Sequence, residues 1–232
     1  MKKNILGITL ARGGSKGIKN KNIVKINNKP LIQYTIDEAL KSKLLTHYII
    51  STDSKKIKEV SLKIGAKVPF IRPKKLSTDS SSSVAALQHA VNFMENLNKI
   101  KYDYVIEIMC TNPLKKCNDI DSIIRKIIRT KADTVIAVHQ LEDHHPRRIK
   151  KIVKDKIVDF CLKEKKESRR QDLKPNAYIR SGSIYAIERN YLMKKNARYG
   201  SKNSRPYILH QDKALNIDTK IDLLIAKQIL KN

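Results

Sequence analysis

A loop rich in glycine and cations follows the first apolar run of the chain. The run spans residues 5–10, and residues 12–17 then read Arg-Gly-Gly-Ser-Lys-Gly. Glycines let a backbone approach a polyphosphate closely, and the N–H groups and cations can neutralise its charge. The spacing fits neither a Walker A loop nor a dinucleotide fingerprint. We therefore predict a strand that feeds a phosphate-binding loop, although an ordinary strand-to-helix turn has a similar composition.

Alternating strand and helix patterns must position this loop. Besides residues 5–10, strand patterns cover residues 47–52, 67–71, 104–109, 133–139, 184–187, 207–210 and 214–217. Helical patterns cover residues 31–43, 54–64, 119–130 and 219–230, and a further helix runs from the N-cap candidates at 80–83 to about residue 98. Such alternation predicts a three-layer α/β domain with a mostly parallel sheet covered on both faces. Ligands then bind at the carboxyl ends of the strands.

The alternation breaks after residue 139. Residues 149–153 and 157–160 form a hairpin pattern, and residues 163–175 are polar. We therefore predict an excursion over residues 140–177, outside an α/β domain made of residues 1–139 and 178–232.

Composition excludes several classes of protein. The 232 residues include 49 basic and 22 acidic ones, which gives a net charge of +27. The basic residues, such as Lys115-Lys116, are spread along the chain as expected for a solvated surface, and tryptophan is absent. We expect no specific nucleic acid partner. No apolar run approaches the roughly 18 residues of a membrane helix. The three cysteines lack metal or disulfide spacing, and we expect a cytoplasmic protein.

Residues 12–17, together with Lys19-Asn20-Lys21-Asn22 and Lys29-Pro30-Leu31-Ile32, resemble the N-terminal signature of the acylneuraminate cytidylyltransferases, or CMP-sialic acid synthetases. The resemblance implies a Rossmann-like nucleotidyltransferase fold whose loop wraps the phosphates of CTP. It assigns catalytic roles to Arg12, Lys16 and Lys21. The implied nucleotide contacts are Arg12, Gly13, Ser15, Lys16 and Asn22.

A second segment resembles the base-reading part of the same family. It runs from Arg72-Pro73 through Leu76 and Asp79 to Ser81 and Ser83. The resemblance implies that Arg72 and Ser83 contact cytosine and ribose. A serine cluster before a helix also fits simple N-capping.

The segments that resemble the family's acceptor site are spread over the second half of the chain. Residues 109–114, Met-Cys-Thr-Asn-Pro-Leu, resemble a Gln-Pro-Thr-Ser-Pro-Leu motif, with Met109 where a sugar-contacting glutamine is common. The resemblance implies sugar-acid contacts from Met109, Thr111, Arg148, Arg170, Ser181 and Tyr185. Arg148 and Arg170 would clamp the carboxylate across a homodimer, because the excursion reaches the partner subunit in that family. An exposed basic loop is the alternative.

Residues 216–219, Asn-Ile-Asp-Thr, resemble the family's Asp-x-Asp-Thr metal motif. The resemblance implies that Asp218 and, more weakly, Asn216 hold Mg²⁺, which prefers oxygen ligands. Asp218-Thr219 could instead only cap the last helix.

The resemblance implies an enzyme that transfers CMP from CTP to the anomeric hydroxyl of a 2-keto-3-deoxy sugar acid. Sialic acid and bacterial analogues such as legionaminate or pseudaminate are the expected acceptors. Three alternatives stay open at this point: a 3-deoxy-manno-octulosonate cytidylyltransferase, a sugar-1-phosphate nucleotidyltransferase, and a basic polyanion-binding protein.

Overall fold

The computed structural model describes residues 2–15, 17–141, 143–163 and 169–231. The strands are β1 (Ile5–Leu10), β2 (Lys25–Ile26), β3 (Lys29–Pro30), β4 (His47–Ser51), β5 (Tyr104–Ile108), β6 (Thr134–Gln140), β7 (Lys150–Val153), β8 (Lys156–Asp159), β9 (Tyr178–Glu188) and β10 (Ser204–Ile208). The α-helices are α1 (Leu31–Leu40), α2 (Lys55–Lys63), α3 (Ser83–Asn98), α4 (Cys117–Thr130), α5 (Arg189–Lys195) and α6 (Lys220–Ile229). None of the helices in these described ranges has the length and apolar character required to span a membrane.

One six-stranded sheet organises the molecule, in the order β10-β6-β9-β5-β1-β4. The pairs β1–β4, β1–β5 and β10–β6 are parallel, whereas β9 runs antiparallel to both β5 and β6. The predicted, mostly parallel α/β sheet is confirmed. The carboxyl ends of β1 and β5 lie side by side, because Ile8 of β1 pairs with Glu107 of β5.

Apolar layers cover both faces of this sheet. Side chains alternate along β5, so Ile106 packs in the layer with α1, α2 and α4, and Val105 packs in the layer with α3 and α5. A smaller cluster joins Ile18 and Leu31 to Ile217 and Ala226. The smaller cluster brings the end of the glycine-rich loop next to the C-terminal segment.

Two predicted strands are wrong. Residues 67–71 make only isolated bridges beside β4, from Lys67 to Ile49 and from Ile71 to Thr52. Residues 214–217 form no strand, because the amide of Ile217 donates to the carbonyl of Thr111 in a loop while its side chain is fully buried. An apolar pattern alone does not reveal that an extended segment is bonded to loops rather than to a strand.

The chain between β6 and β9 adds no strand to the main sheet in its described part. The predicted hairpin is present as β7 and β8, joined by Lys154 and Asp155, which both have positive φ. Such a pair of left-handed residues is typical of a tight hairpin turn. The hairpin leaves Ile152 78% and Ile157 75% exposed.

Candidate active site

A cleft of about 490 Å³ opens at the carboxyl ends of β1 and β5. Nine of the residues singled out in the sequence line it: Arg12, Ser15, Lys21, Asn22, Arg72, Ser83, Met109, Thr111 and Asp218. They come from four segments that are far apart in the chain. The fold therefore brings four parts of the chain together at one cavity: the phosphate loop, the base-reading segment, the end of β5 and the C-terminal acid.

The glycine-rich loop packs closely against its neighbours. The amide of Gly13 donates to Asp53 Oδ1 at 2.9 Å. A Cβ on Gly17 would lie 2.6 Å from the carbonyl oxygen of Asp218, so only glycine fits there. This contact fixes Asp218 beside the loop. Lys16 lies outside the described residues, and its role stays a prediction.

Two cations of the cleft are paired with carboxylates. Arg12 Nη1 lies 2.7 Å from Asp79 Oδ1, and Lys21 Nζ lies 2.7 Å from Asp218 Oδ1. The Asp218 side chain is 62% exposed, so solvent weakens this pair. A bound polyanion can therefore compete with these carboxylates for both cations at a small cost.

Asn22 links two loops beneath the cleft. Its Nδ2 donates to the carbonyl of Arg12 at 2.9 Å, and its Oδ1 accepts from Cys110 Sγ at 3.0 Å. Both ends of the buried amide are thus held by protein atoms. In this structure Asn22 positions the glycine-rich loop, and its predicted contact with the nucleotide stays a prediction.

Arg72 is a buried guanidinium at the wall of the cleft. Its side chain is only 4% exposed and lies 4.0 Å from Asp53 Oδ1. Burial lowers the pKa of Arg72, and the nearby Asp53 carboxylate opposes that shift. Its Nε has no hydrogen-bond partner in the part of the chain that the structure describes. A ligand carbonyl or hydroxyl oxygen would satisfy this buried donor.

The serine cluster before α3 divides between two tasks. Ser82 is the N-cap, and its side chain accepts from the amide of Ala85 at 3.3 Å. Ser83 is the first helical residue and lines the cleft. Ser81 and Ser82 line the cleft as well, so the capping role of Ser82 does not set it apart from Ser83 at the cavity.

The loop after β5 forms the other end of the cleft. Thr111 Oγ1 is buried and has no hydrogen-bond partner among the described residues. Beneath the loop lies Lys115, which is fully buried. Its Nζ donates to Thr35 Oγ1 at 2.8 Å, to Met109 O at 2.6 Å and to Asn112 O.

Lys115 corrects the sequence analysis, which treated Lys115-Lys116 as surface charge. Burial lowers the pKa of Lys115 to about 7. Its three oxygen acceptors explain how a lysine is tolerated there, because each N–H of the head group has a partner. The available sequence signal was the position of Lys115 directly after the loop that follows β5. This signal is hard to recognise, because Lys116 and many other lysines of this basic chain look the same in the sequence.

The C-terminal acid reaches the cleft without acting as a helix cap. Thr219 is the N-cap of α6, and its hydroxyl accepts from the amide of Asp222 at 3.2 Å. Asp218 lines the cleft, and its carboxylate accepts from Lys21 of the phosphate loop through Oδ1. The cap alternative thus holds for Thr219 only.

Among the described acidic residues of the cleft, Asp218 is the one that lies against the end of the glycine-rich loop, at Gly17. In the described ranges, no group of three or more histidine, cysteine or acidic side chains could hold a metal ion. Asp218 fits Mg²⁺ as a single carboxylate ligand, since this ion commonly takes its other ligands from phosphates and water. Asn216 points its Nδ2 at Asp218 Oδ2 at 2.5 Å, and its Oδ1 is buried toward Gly182. In this orientation Asn216 offers no oxygen to a metal beside Asp218.

Four predicted acceptor-site residues do not line this cleft. Ser181 is buried and its hydroxyl donates to Ala137 O at 3.0 Å. Tyr185 is buried beneath the guanidinium of Arg198, at 4.8 Å from the ring centre. Arg148 and Arg170 lie on the excursion, and Arg170 borders a separate cavity of about 310 Å³. Their roles stay predictions.

The comparison with protein families matches residues 6–229 to a model described as cytidylyltransferase. The chain belongs to the cytidylyltransferase family. It is therefore an enzyme of the nucleotidyltransferase class, as the resemblance implied.

Two curated relatives and one solved structure resemble the whole chain. A pseudaminic acid cytidylyltransferase of Campylobacter jejuni is 35% identical, over 97% of this chain and 96% of that protein. A CMP-N,N'-diacetyllegionaminic acid synthase of the same species is 32% identical, over 97% and 94%. A CMP:2-keto-3-deoxy-manno-octonic acid synthetase solved with CTP aligns with a TM-score of 0.70 at 18% identity, covering 97% of this chain and 99% of that one. At that identity the structural match shows the fold alone.

Proposed function

We propose that this enzyme transfers CMP from CTP to the anomeric hydroxyl of a nine-carbon 2-keto-3-deoxy sugar acid of the pseudaminic or legionaminic type, with release of pyrophosphate. The observation that carries the proposal is the cleft in which Arg12, Lys21, Arg72, Thr111 and Asp218 meet. Full-length relatives named for these two acids, at 35% and 32% identity, support the choice of acceptor.

The cations at the glycine-rich loop bind the triphosphate. In the structure these cations pair with Asp79 and Asp218, and in this proposal the phosphates take over these contacts. The anomeric hydroxyl attacks the α-phosphorus in line, and negative charge grows on the departing pyrophosphate. Arg12 and Lys21 are already in place to neutralise that charge, which is where preorganised cations lower a barrier most. Lys16 of the same loop is proposed to share this task.

The nucleoside lies at the Arg72 side of the cleft in this proposal. Arg72 donates its unpartnered Nε to an oxygen of the nucleoside, and Ser83 at the start of α3 donates its hydroxyl. Gly13, Ser15 and Asn22 keep the phosphate loop in shape. Positioning of the two substrates then supplies much of the rate enhancement.

Mg²⁺ is the proposed metal, and Asp218 is the residue that would hold it. When bound, the ion would neutralise phosphate charge and polarise the phosphoryl group. Lys21 would then turn from Asp218 to the phosphates. Asn216 acts in this proposal by orienting the Asp218 carboxylate through its amide nitrogen.

The acceptor end comprises Met109 and Thr111, whose buried hydroxyl is available for a sugar oxygen. We further propose a cytoplasmic homodimer in which the excursion of residues 140–177 packs on a second copy. The exposed Ile152, Ile157 and Phe160 of the hairpin region support this arrangement. Arg148 and Arg170 would then clamp the acceptor carboxylate of the partner's cleft, while Ser181 and Tyr185 support its wall from behind.

The test is pyrophosphate release with Mg²⁺, CTP and a panel of acceptors: pseudaminate, legionaminate, N-acetylneuraminate, 3-deoxy-manno-octulosonate and a sugar 1-phosphate. Each acid is also run with UTP, ATP and GTP. The proposal predicts release with CTP plus pseudaminate or legionaminate. Release only with 3-deoxy-manno-octulosonate, or only with a sugar 1-phosphate, would contradict it. Polyanion binding without turnover, lost at high salt, would favour the non-enzymatic alternative.

A further inference from the structure

An acidic side chain interrupts the apolar centre of β5. Glu107 lies between Ile106 and Ile108, and it is only 2% exposed. It faces α3 on the same side of the sheet as Met109, and both residues line the cleft. A carboxylate so deeply buried is costly unless it is paired, so its environment decides what it can do.

Arg198 supplies the pairing from the segment that follows α5. Its Nη1 lies 2.5 Å from Glu107 Oε2. The guanidinium also lies over the rings of Tyr185 and Tyr199, at 4.8 Å and 5.5 Å from their centres. Tyr185 is the cross-strand partner of Glu107 in β9. The arginine is therefore held on two sides and fixes the carboxylate in one orientation.

Of the two residues in this ion pair, Glu107 lines the cleft and Arg198 does not. Burial raises the pKa of the Glu107 carboxyl, and Arg198 opposes that rise. Arg198 donates to Oε2 of Glu107. The other carboxylate oxygen, Oε1, accepts no hydrogen bond from residues in the described ranges. The cleft thus presents one oriented acceptor oxygen at the β5 end.

The hydrogen-bonding character of Oε1 restricts the ligand. A carboxylate paired with an arginine accepts hydrogen bonds and donates none, so oxygens of the triphosphate or of the acceptor's acid group would find no partner there. The cations Arg12 and Lys21 line the cleft from the glycine-rich loop and provide the binding groups for the triphosphate in the proposed function. What fits beside Glu107 is a neutral group with an N–H or O–H donor, and Met109 adds an apolar surface for its carbon atoms.

We propose that Glu107, oriented by Arg198, is a specificity-determining residue that accepts a hydrogen bond from a neutral N–H or O–H substituent of the acceptor sugar. This inference rests on the proposed function. A buried pair of this kind is otherwise a poor source of stability, because well-packed apolar side chains commonly replace it without loss. A hydrogen bond to the acceptor explains why the Glu107–Arg198 pair is present, because apolar side chains cannot accept one.

The test replaces both partners, so that no lone charge stays buried. The variant Glu107→Leu/Arg198→Met is compared with the matched pair variant Glu95→Leu/Arg189→Met. The control pair has the same side-chain exposures, 3% for the acid and 18% for the arginine, and neither of its residues lines the cleft. KM values for CTP and for the acid that wild type prefers are measured for both variants, together with thermal unfolding.

We expect the Glu107 variant to raise the KM for the acid roughly ten- to a hundredfold, the loss of one charged hydrogen bond, with the KM for CTP unchanged. The control variant should leave both KM values unchanged. An unchanged acid KM in the folded Glu107 variant, or an equal rise of both KM values, would overturn the proposal and make the pair structural. Failure to fold would do the same. Silence of the wild-type enzyme with every acid would instead refute the proposed function itself.

Discussion

The cleft and the excursion differ in how deeply their apolar side chains are buried. Strand β5 at the base of the cleft is buried along its whole length, between the apolar layer of α1, α2 and α4 on one face and that of α3 and α5 on the other. The hairpin of the excursion leaves Ile152 and Ile157 more than 70% exposed, and an isolated two-stranded hairpin is marginally stable. The cleft thus rests on a packed core, whereas Arg148 and Arg170 lie in a part of the chain whose described hairpin exposes apolar side chains.

The largest contrast is expected in stability. Ile106→Ala removes a fully buried side chain from β5 and should lower the free energy of unfolding by about 4 kcal/mol. Ile152→Ala, the same change in the exposed hairpin, should cost less than about 0.5 kcal/mol in the monomer. Urea unfolding at low protein concentration measures both. Equal losses would show that the hairpin is packed within a single chain.

The next contrast concerns ion pairs and pH. Burial raises the pKa of Glu95, but hydrogen bonds from Arg189 and Lys101 outweigh it and lower the value to about 2, from 4.5. The pair therefore stabilises the fold fully above pH 4.5 and loses this effect as the pH falls towards 2. Glu95→Gln should cost about 3 kcal/mol at pH 7, and its difference from wild type should shrink in acid.

The matched variant in the excursion is Asp172→Asn, which breaks the exposed pair with Arg169. Exposed pairs contribute about 0–1 kcal/mol, so this change should have little effect on unfolding at any pH. Unfolding curves of wild type, Glu95→Gln and Asp172→Asn, recorded from pH 7 to pH 3, measure both effects. A constant effect of Glu95→Gln over that range would refute the assigned ionisation.

A cation of the cleft should matter more for turnover than for stability. Lys21→Met removes a charge beside the proposed pyrophosphate and should lower kcat about a hundredfold. Lys19→Met changes an exposed lysine of the same loop that does not line the cleft, and it should leave kcat within about twofold. Steady-state kinetics of both variants at the same ionic strength provide the measurement. Similar losses in the two would reduce the role of Lys21 to bulk charge.

The smallest effect is expected from the excursion. Arg170→Ala should raise the KM for the sugar acid about tenfold, with the KM for CTP unchanged, because one carboxylate contact is lost. Arg169→Ala, its exposed neighbour, is the control and should change neither value. Equal losses for both substrates would indicate a defect of folding or assembly instead.

Mixed dimers show which subunit uses Arg170. When Lys21→Met and Arg170→Ala chains are unfolded and refolded together and assayed with the sugar acid well below its KM, Arg170→Ala alone should retain about a tenth of wild-type activity. A site shared between subunits then raises the activity of the mixture to about a quarter of wild type, since half of the dimers contain one intact site. A site confined to one subunit gives no such recovery. The absence of recovery in verified mixed dimers would contradict the proposed exchange across the interface.

Most of the fold could be predicted from the sequence, because the signals that specify it are local and strong. The apolar run of β5, the glycines after β1 and the positive-φ turn of the hairpin each specify structure over a few residues. The two wrong strands, at residues 67–71 and 214–217, are apolar segments whose backbone partners are set by tertiary contacts. Element type could be predicted from pattern, and hydrogen-bond partners could not.

The site was predicted in part for the same reason. Motif residues such as Arg12, Arg72 and Asp218 reach the cleft, but Lys115 and Glu107 were missed. Each is a charged residue whose burial depends on a partner distant in sequence, Thr35 for the lysine and Arg198 for the acid. Such pairs become visible only when the chain is folded.

The most direct test of the central claim is the mass of the product formed from CTP, Mg²⁺ and pseudaminate or legionaminate. The account predicts CMP joined to the intact acid through a single phosphate, together with one equivalent of pyrophosphate. A CDP-sugar formed only from a sugar 1-phosphate, or unchanged CTP with every acid while the folded protein binds CTP, would contradict it.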